Sequence, residues 1–160
     1  MGLFDDPLVN PAEAEKIVGC GAHRQLALQA ARETITLLKN ENNLAPLDLK
    51  KIKTIAVIGP NANRSLLGGY SGHPKFYTSL LEGIRSKVGD RVLVPYCEGC
   101  KITVGGSWNQ DLVTPGRAEE DRKLIQEAVK VAQAADVIVL AIGGNEQTSR
   151  EAWSLKHMGD

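Results

Sequence analysis

The segment Asp136-Val137-Ile138-Val139-Leu140-Ala141-Ile142-Gly143-Gly144 constrains this chain more than any other stretch. After its first residue it is wholly apolar, rich in β-branched side chains, and closed by two glycines. A run of this kind has no polar face to give to water, so it fits a strand buried on both sides, as at the centre of a parallel sheet. What precedes it narrows the choice. Glu119 to Ala134 sets Leu124, Ile125, Ala128, Val131 and Ala132 on one stripe, with acidic and basic side chains opposite. That is the pattern of an amphipathic helix, and a helix feeding directly into a buried strand is half of a βαβ unit.

The same alternation runs through the earlier residues. Lys53-Thr54-Ile55-Ala56-Val57-Ile58-Gly59-Pro60 is a short apolar, β-branched run stopped by Gly-Pro, which reads as the first strand of the sheet. Ser79 to Val88 returns to helical spacing through Leu80, Leu81 and Ile84. Arg91-Val92-Leu93-Val94-Pro95-Tyr96 supplies a second apolar run, and the glycine-rich stretch from Gly99 to Gly116 has little periodicity. Before the first strand, apolar residues from Ile17 to Leu38 recur three or four apart, which predicts a helix over about Ala22 to Leu38. Asn40-Glu41-Asn42-Asn43 and Pro46 then interrupt it. The expected fold class is α/β: a doubly wound, mostly parallel sheet with flanking helices and right-handed crossovers.

Composition removes several functions from consideration. Lys plus Arg equals Asp plus Glu at 19 each, so the chain has no net field with which to gather DNA, RNA or an anionic membrane. No nucleic-acid partner and no membrane partner are expected. No apolar run approaches the roughly 20 residues that span a bilayer. Met1-Gly2-Leu3-Phe4-Asp5-Asp6 lacks the basic-then-apolar order of a signal peptide, and Asp6 stands where a myristoylation signal has Ser or Thr. The cellular compartment is left open. The three cysteines, Cys20, Cys97 and Cys100, are too few for a disulfide framework. Cys97-Glu98-Gly99-Cys100 has C-x-x-C spacing, but a zinc site needs two more ligands than this pair supplies. A plain loop is the simpler reading, and no metal or cofactor is expected.

In a parallel sheet, ligands bind beyond the carboxyl ends of the strands, where the loops converge. Three loops qualify: Gly59 to Tyr77, Cys97 to Gly116, and Gly143 to Asp160. The first is rich in glycine but has neither G-x-G-x-x-G at the strand end nor G-x-x-x-x-G-K-[ST], so tight turning explains it better than phosphate binding. The third carries the chemistry. Asn145-Glu146-Gln147-Thr148-Ser149-Arg150-Glu151-Ala152-Trp153 brings two carboxylates, an amide, a guanidinium and an indole close together in sequence. Cleavage of a glycosidic bond needs a carboxylic acid to protonate the leaving oxygen and a carboxylate partner. On composition alone, the more ordinary reading is that Glu146 and Glu151 are solvated and paired with Arg150.

Several linked motifs shift that balance. Ile58-Gly59-Pro60-Asn61-Ala62, the stretch from Gly68-Gly69-Tyr70-Ser71-Gly72 to Leu81-Glu82-Gly83-Ile84, and Glu98-Gly99-Cys100 occur in the order seen in the second domain of family 3 glycoside hydrolases, which this chain resembles. Ala30-Ala31-Arg32-Glu33-Thr34-Ile35-Thr36-Leu37-Leu38-Lys39-Asn40 is similar to the helix and connector that join the family's barrel-like first domain to the second. Gly2-Leu3-Phe4-Asp5-Asp6-Pro7 resembles the end of that first domain.

The resemblance implies residues 1–50 as the end of the barrel domain with its connector, and 51–160 as the N-terminal portion of an α/β sandwich domain. It implies retaining, exo-acting hydrolysis of terminal β-linked sugars, glucose or xylose, without a cofactor. In the family the nucleophile is an aspartate of the barrel domain, so that domain is the expected partner, along with a β-linked oligosaccharide or glycoside substrate. The acid/base glutamate comes from the loop after a strand of the second domain. Glu151 takes that position, with Glu146 the runner-up, and Arg150, Trp153 and Asn145 are the expected substrate contacts. Many members follow the glutamate with Gly and an Asp-Arg pair, whereas this chain has Ala152-Trp153. By itself the chain is expected to be inactive and to self-associate through an unprotected sheet edge. The alternative is a non-catalytic α/β module that holds a sugar or nucleotide at the loop ends.

Overall fold

A computed structural model describes residues 2, 4–67, 70–74, 76–106, 110 and 112–149. The chain divides into two compact units, Met1–Pro46 and Leu47–Asp160.

The first unit holds two helices, α1 (Pro11–Ile17) and α2 (Gly21–Thr34). Asn10 starts α1: its side-chain oxygen accepts the amide of Ala12, and Pro11 occupies the first helical position, where no backbone donor is needed. The helix expected over Ala22 to Leu38 stops at Thr34, and Ile35 is already extended at φ −78°, ψ 114°. The run Thr34-Ile35-Thr36 explains the early stop, because three successive β-branched side chains lose rotamer freedom in a helix. Neither helix buries a residue.

The second unit is built on a parallel sheet of three strands, in the order β2-β1-β3 among the described residues. Strand β1 (Ile55–Ile58) lies in the middle, and all four of its side chains are buried. It pairs with β2 (Tyr96–Cys97) through Val57–Tyr96 and Ile58–Cys97, and with β3 (Val137–Leu140) from Ile55–Val137 to Ile58–Leu140. Successive residues of β1 face opposite sides. Ile55 and Val57 pack with Leu81 and Val88 of helix α3 (Leu80–Val88), whereas Ala56 and Ile58 pack with Ala128 of helix α4 (Ala118–Gln133). One helix therefore covers each face, as two right-handed crossovers require. Each large core side chain taken out of water contributes roughly 1.5–3 kcal/mol, so Ile55, Val57 and Leu81 are the chief anchors of this unit.

Local sequence fixes the element ends. Ser79 and Glu82 form a reciprocal cap at the start of α3: Ser79 Oγ accepts the Glu82 amide at 3.2 Å, and Glu82 Oε2 accepts the Ser79 amide at 2.9 Å. The Ser79 amide, and then the Ser79 hydroxyl that donates to the same oxygen at 2.9 Å, hold the Glu82 carboxyl below its ordinary pKa. At the start of β3, Asp136 Oδ2 accepts the amides of Lys53 and Thr54 at 2.8 and 3.0 Å. It thereby ties β3 to the residues that lead into β1, and the two bonds lower its pKa.

Two expectations need correction. The second apolar run was expected as a strand over Arg91 to Tyr96, but the regular ladder is limited to Tyr96–Cys97. Leu93 and Pro95 do accept the amides of Ile55 and Val57, each at 2.9 Å, yet proline has no amide to return and the ladder breaks there. The run expected to form a central strand buried on both faces forms β3, which lies at the edge of the described sheet. Val137 and Val139 pack into the α3 side, while Ile138 and Leu140 are 51% and 58% exposed. No helix among the described residues is long and apolar enough to cross a membrane.

Candidate active site

Because the three strands are parallel, the loops that follow them leave the same end of the sheet. The first loop begins at Gly59, whose φ of 128° suits glycine. A Cβ there would sit 2.0 Å from the carbonyl oxygen of Ala141, so the ends of β1 and β3 can approach this closely only because the side chain is absent. Ala141 completes the junction by donating its amide to the Ile58 carbonyl at 2.7 Å. Two residues past Gly59, Asn61 donates from Nδ2 to the Gly144 carbonyl at 3.0 Å. Arg64 then reaches Glu146, with Nη2 and Oε1 3.6 Å apart.

The second loop is a hairpin rather than shapeless coil. Val104 donates its amide to the Thr114 carbonyl at 2.8 Å, Gly116 donates to Ile102 at 3.2 Å, and Thr103 bridges Pro115 in antiparallel fashion. Its base is fixed to the first turn of α4, where Asp121 Oδ1 accepts the amide of Lys101 at 2.8 Å. Cys97 and Cys100 are free thiols at the root of this loop. Burial, with the nearby carboxylates of Asp121 and Glu98, pushes the Cys100 thiol up. A raised thiol pKa is the opposite of what a redox-active cysteine shows.

The third loop opens with a tight turn organised by one side chain. Asn145 is 4% exposed. Its Oδ1 accepts the amides of Gln147 and Thr148 at 3.0 and 3.1 Å, its own amide donates to Thr148 Oγ1 at 2.9 Å, and its Nδ2 donates to Thr103 Oγ1 at 2.7 Å. The side chain expected to touch substrate is thus turned into the loop, where it forms an Asx-type turn. Glu146 projects from the same turn toward Arg64. Its second carboxylate oxygen, Oε2, is buried without a hydrogen-bond partner, as is Oδ1 of Asn61. Arg150, Glu151 and Trp153 lie outside the described residues.

A cavity of about 270 Å³ opens at this end of the sheet, lined by Leu66, Leu67, Gly144, Asn145, Glu146 and Ser149. A second concavity, of about 310 Å³, lies between α4 and the exposed side of β3 and extends to the roots of the first two loops at Gly59 and Gly99, and Ile125, Val129, Ile138, Leu140 and Ile142 form much of its wall. Glu98 and Cys100 also line it, but Glu98 is paired with Lys101 and the surface that faces the space is apolar, so among the described residues this concavity is bare core beside β3.

Sequence reasoning reached the third loop from its carboxylates but missed the residues that hold it: Asn61, Arg64 and Thr103. Only the first had a signal, as the residue after Gly-Pro at a strand end. The others meet the loop through the fold.

Known proteins bear on this arrangement. A family model described as the glycosyl hydrolase family 3 C-terminal domain matches residues 35–160. A β-xylosidase of Formosa agariphila is 38% identical over 165 residues, covering 94% of this chain and 20% of that protein. A periplasmic β-glucosidase of Salmonella typhimurium is 35% identical over 168 residues, covering 96% and 22%. Among solved structures, a β-glucosidase from Erythrobacter marinus superposes with a TM-score of 0.82 at 38% identity, over 94% of this chain and 21% of that one. The chain thus spans about a fifth of the length of the relatives it matches.

Proposed function

The chain belongs to glycoside hydrolase family 3, within whose C-terminal domain most of it falls, and on that premise we propose that it supplies the general acid/base, but not the nucleophile, of a retaining exo-acting β-glycosidase. Its substrates are terminal β-linked glucosides or xylosides, the activities in the names of its relatives. Residues 1–50 serve as the end of a barrel domain and its connector, and 51–160 as the first part of the α/β sandwich.

Glu151 is the acid/base in this reading. It protonates the leaving oxygen and then, as the carboxylate, takes a proton from the water that releases the sugar. Arg150 and Trp153 flank it in sequence and contact the sugar, the indole against its C–H faces and the guanidinium at its hydroxyls. The observation that supports this most is the fixed turn at Asn145–Thr148, held by both neighbouring loops, from which residue 151 follows directly in the chain. Glu146 is the weaker candidate because its carboxylate is directed at Arg64 of the first loop, in an ion pair within the chain.

Retention requires two carboxyl groups about 5–5.5 Å apart across the scissile bond. The opposing aspartate comes from the barrel domain, so the chain alone does not turn over substrate. The test is to assay aryl β-glucosides and β-xylosides with the purified chain, with a separately produced barrel domain, and with their mixture. Activity confined to the mixture is the expected result, and turnover by the chain alone refutes the division of labour.

A further inference from the structure

The third loop is held by the second through one buried contact and one close packing. Asn145 Nδ2 donates to Thr103 Oγ1 at 2.7 Å, and Asn145 is almost wholly buried. Beside it, Gln147 lies against Gly106 so closely that a Cβ at Gly106 would be 2.3 Å from Gln147 Nε2. The oxygen of the same Asn145 amide accepts the backbone of Gln147 and Thr148. One side chain therefore reads the position of the hairpin at one end and sets the path of the backbone at the other.

We infer that Thr103 and Asn145 are positioning residues, whose hydrogen bond fixes the stem of the third loop and so couples the second-loop hairpin to the placement of the acid at residue 151. The catalytic half of this rests on the reading of Glu151 given above. Glu151 follows Thr148 by three residues, so the stem can place it anywhere within a radius of roughly 10 Å. Proton transfer tolerates a misplacement of only about 0.5 Å. A stem free to swing would waste the acid. A buried amide whose two ends are both committed removes that freedom, because rotating it leaves buried donors and acceptors unpaired.

Thr103→Val removes the acceptor with little change of shape and keeps the β-branched residue that the hairpin favours. Thr103→Ser keeps the hydroxyl. The first readout is amide hydrogen exchange at Gln147 and Thr148 in the chain itself. Exchange about tenfold faster in Thr103→Val, restored in Thr103→Ser, is expected from the loss of one net hydrogen bond. Unchanged exchange overturns the clasp whatever the activity. The second readout is steady-state kinetics after mixing with the barrel domain. There, kcat on poor leaving groups falls about tenfold in Thr103→Val while KM stays within about twofold, and Thr103→Ser recovers it. Faster exchange with unchanged kcat overturns the positioning role. An inactive parental mixture counts against the glycosidase reading, and the exchange data then decide the clasp alone.

Discussion

Arg64 Nη2 lies 3.6 Å from Glu146 Oε1, so the first glutamate after β3 is drawn back to the loop that follows β1. Of the two glutamates five residues apart in this loop, Glu146 is a cross-loop tether, and Glu151 is the one to which the proton transfer is proposed to fall.

Glu146→Gln and Arg64→Met test the tether. Both side chains are partly exposed, so the pair is worth under about 1 kcal/mol of stability. The reassembled enzyme should lose activity by one common factor on good and poor leaving groups alike, because loosening a loop does not discriminate between them. A Brønsted plot for either variant that runs parallel to the parent's supports this, and one that steepens transfers the acid role to Glu146.

Asp136 predicts a pH dependence. Its carboxylate accepts two backbone amides at the sheet's amino end, and its folded pKa is depressed. A depressed pKa means the stabilisation is fully present above the unfolded value of about 4 and disappears as the pH falls through the lower folded value. Asp136→Asn should therefore melt below the parent at neutral pH, and the two melting curves should converge in acid. A gap that stays constant from pH 7 to pH 3 contradicts the assignment.

The uncovered side of β3 predicts association. Ile138 and Leu140 of β3 and Ile142 just beyond it are 51%, 58% and 74% exposed, and among the described residues no strand pairs with the outer edge of β3. Sedimentation velocity of the chain should show a coefficient that rises with concentration, and Leu140→Lys should suppress the rise. A parent that sediments as a monomer throughout shows that this face is tolerated bare.

Much of this architecture was legible in the residues, for reasons that differ by element. Strand β1 announced itself because Ile55, Ala56, Val57 and Ile58 are apolar on both faces and are in fact covered on both. Helix α4 did so because its stripe runs uninterrupted, and its observed span, Ala118–Gln133, departs from the expected one by a single residue at each end. Strand β3 shows the limit. Its apolarity on both faces was plain, but apolarity says what a strand prefers, not whether a neighbour is there to provide it. Pro95 and the Thr34–Thr36 run shortened elements because local backbone chemistry overrode the pattern. The site was legible only as a loop with carboxylates. Thr103 and Asn145 stand 42 residues apart, and nothing in either neighbourhood signals the other. That pairing is created when two parallel strands bring their loops to one end of the sheet.

The proposed role of Glu151 is the delivery of a single proton. In the chain reassembled with its barrel domain, Glu151→Gln should be measured on a series of aryl β-glycosides graded by leaving-group pKa. The loss should be small for strongly activated leaving groups and grow steeply as they become poorer, since only the latter need protonation to depart. An equal loss across the series, or the steep dependence appearing in Glu146→Gln instead, would contradict that role.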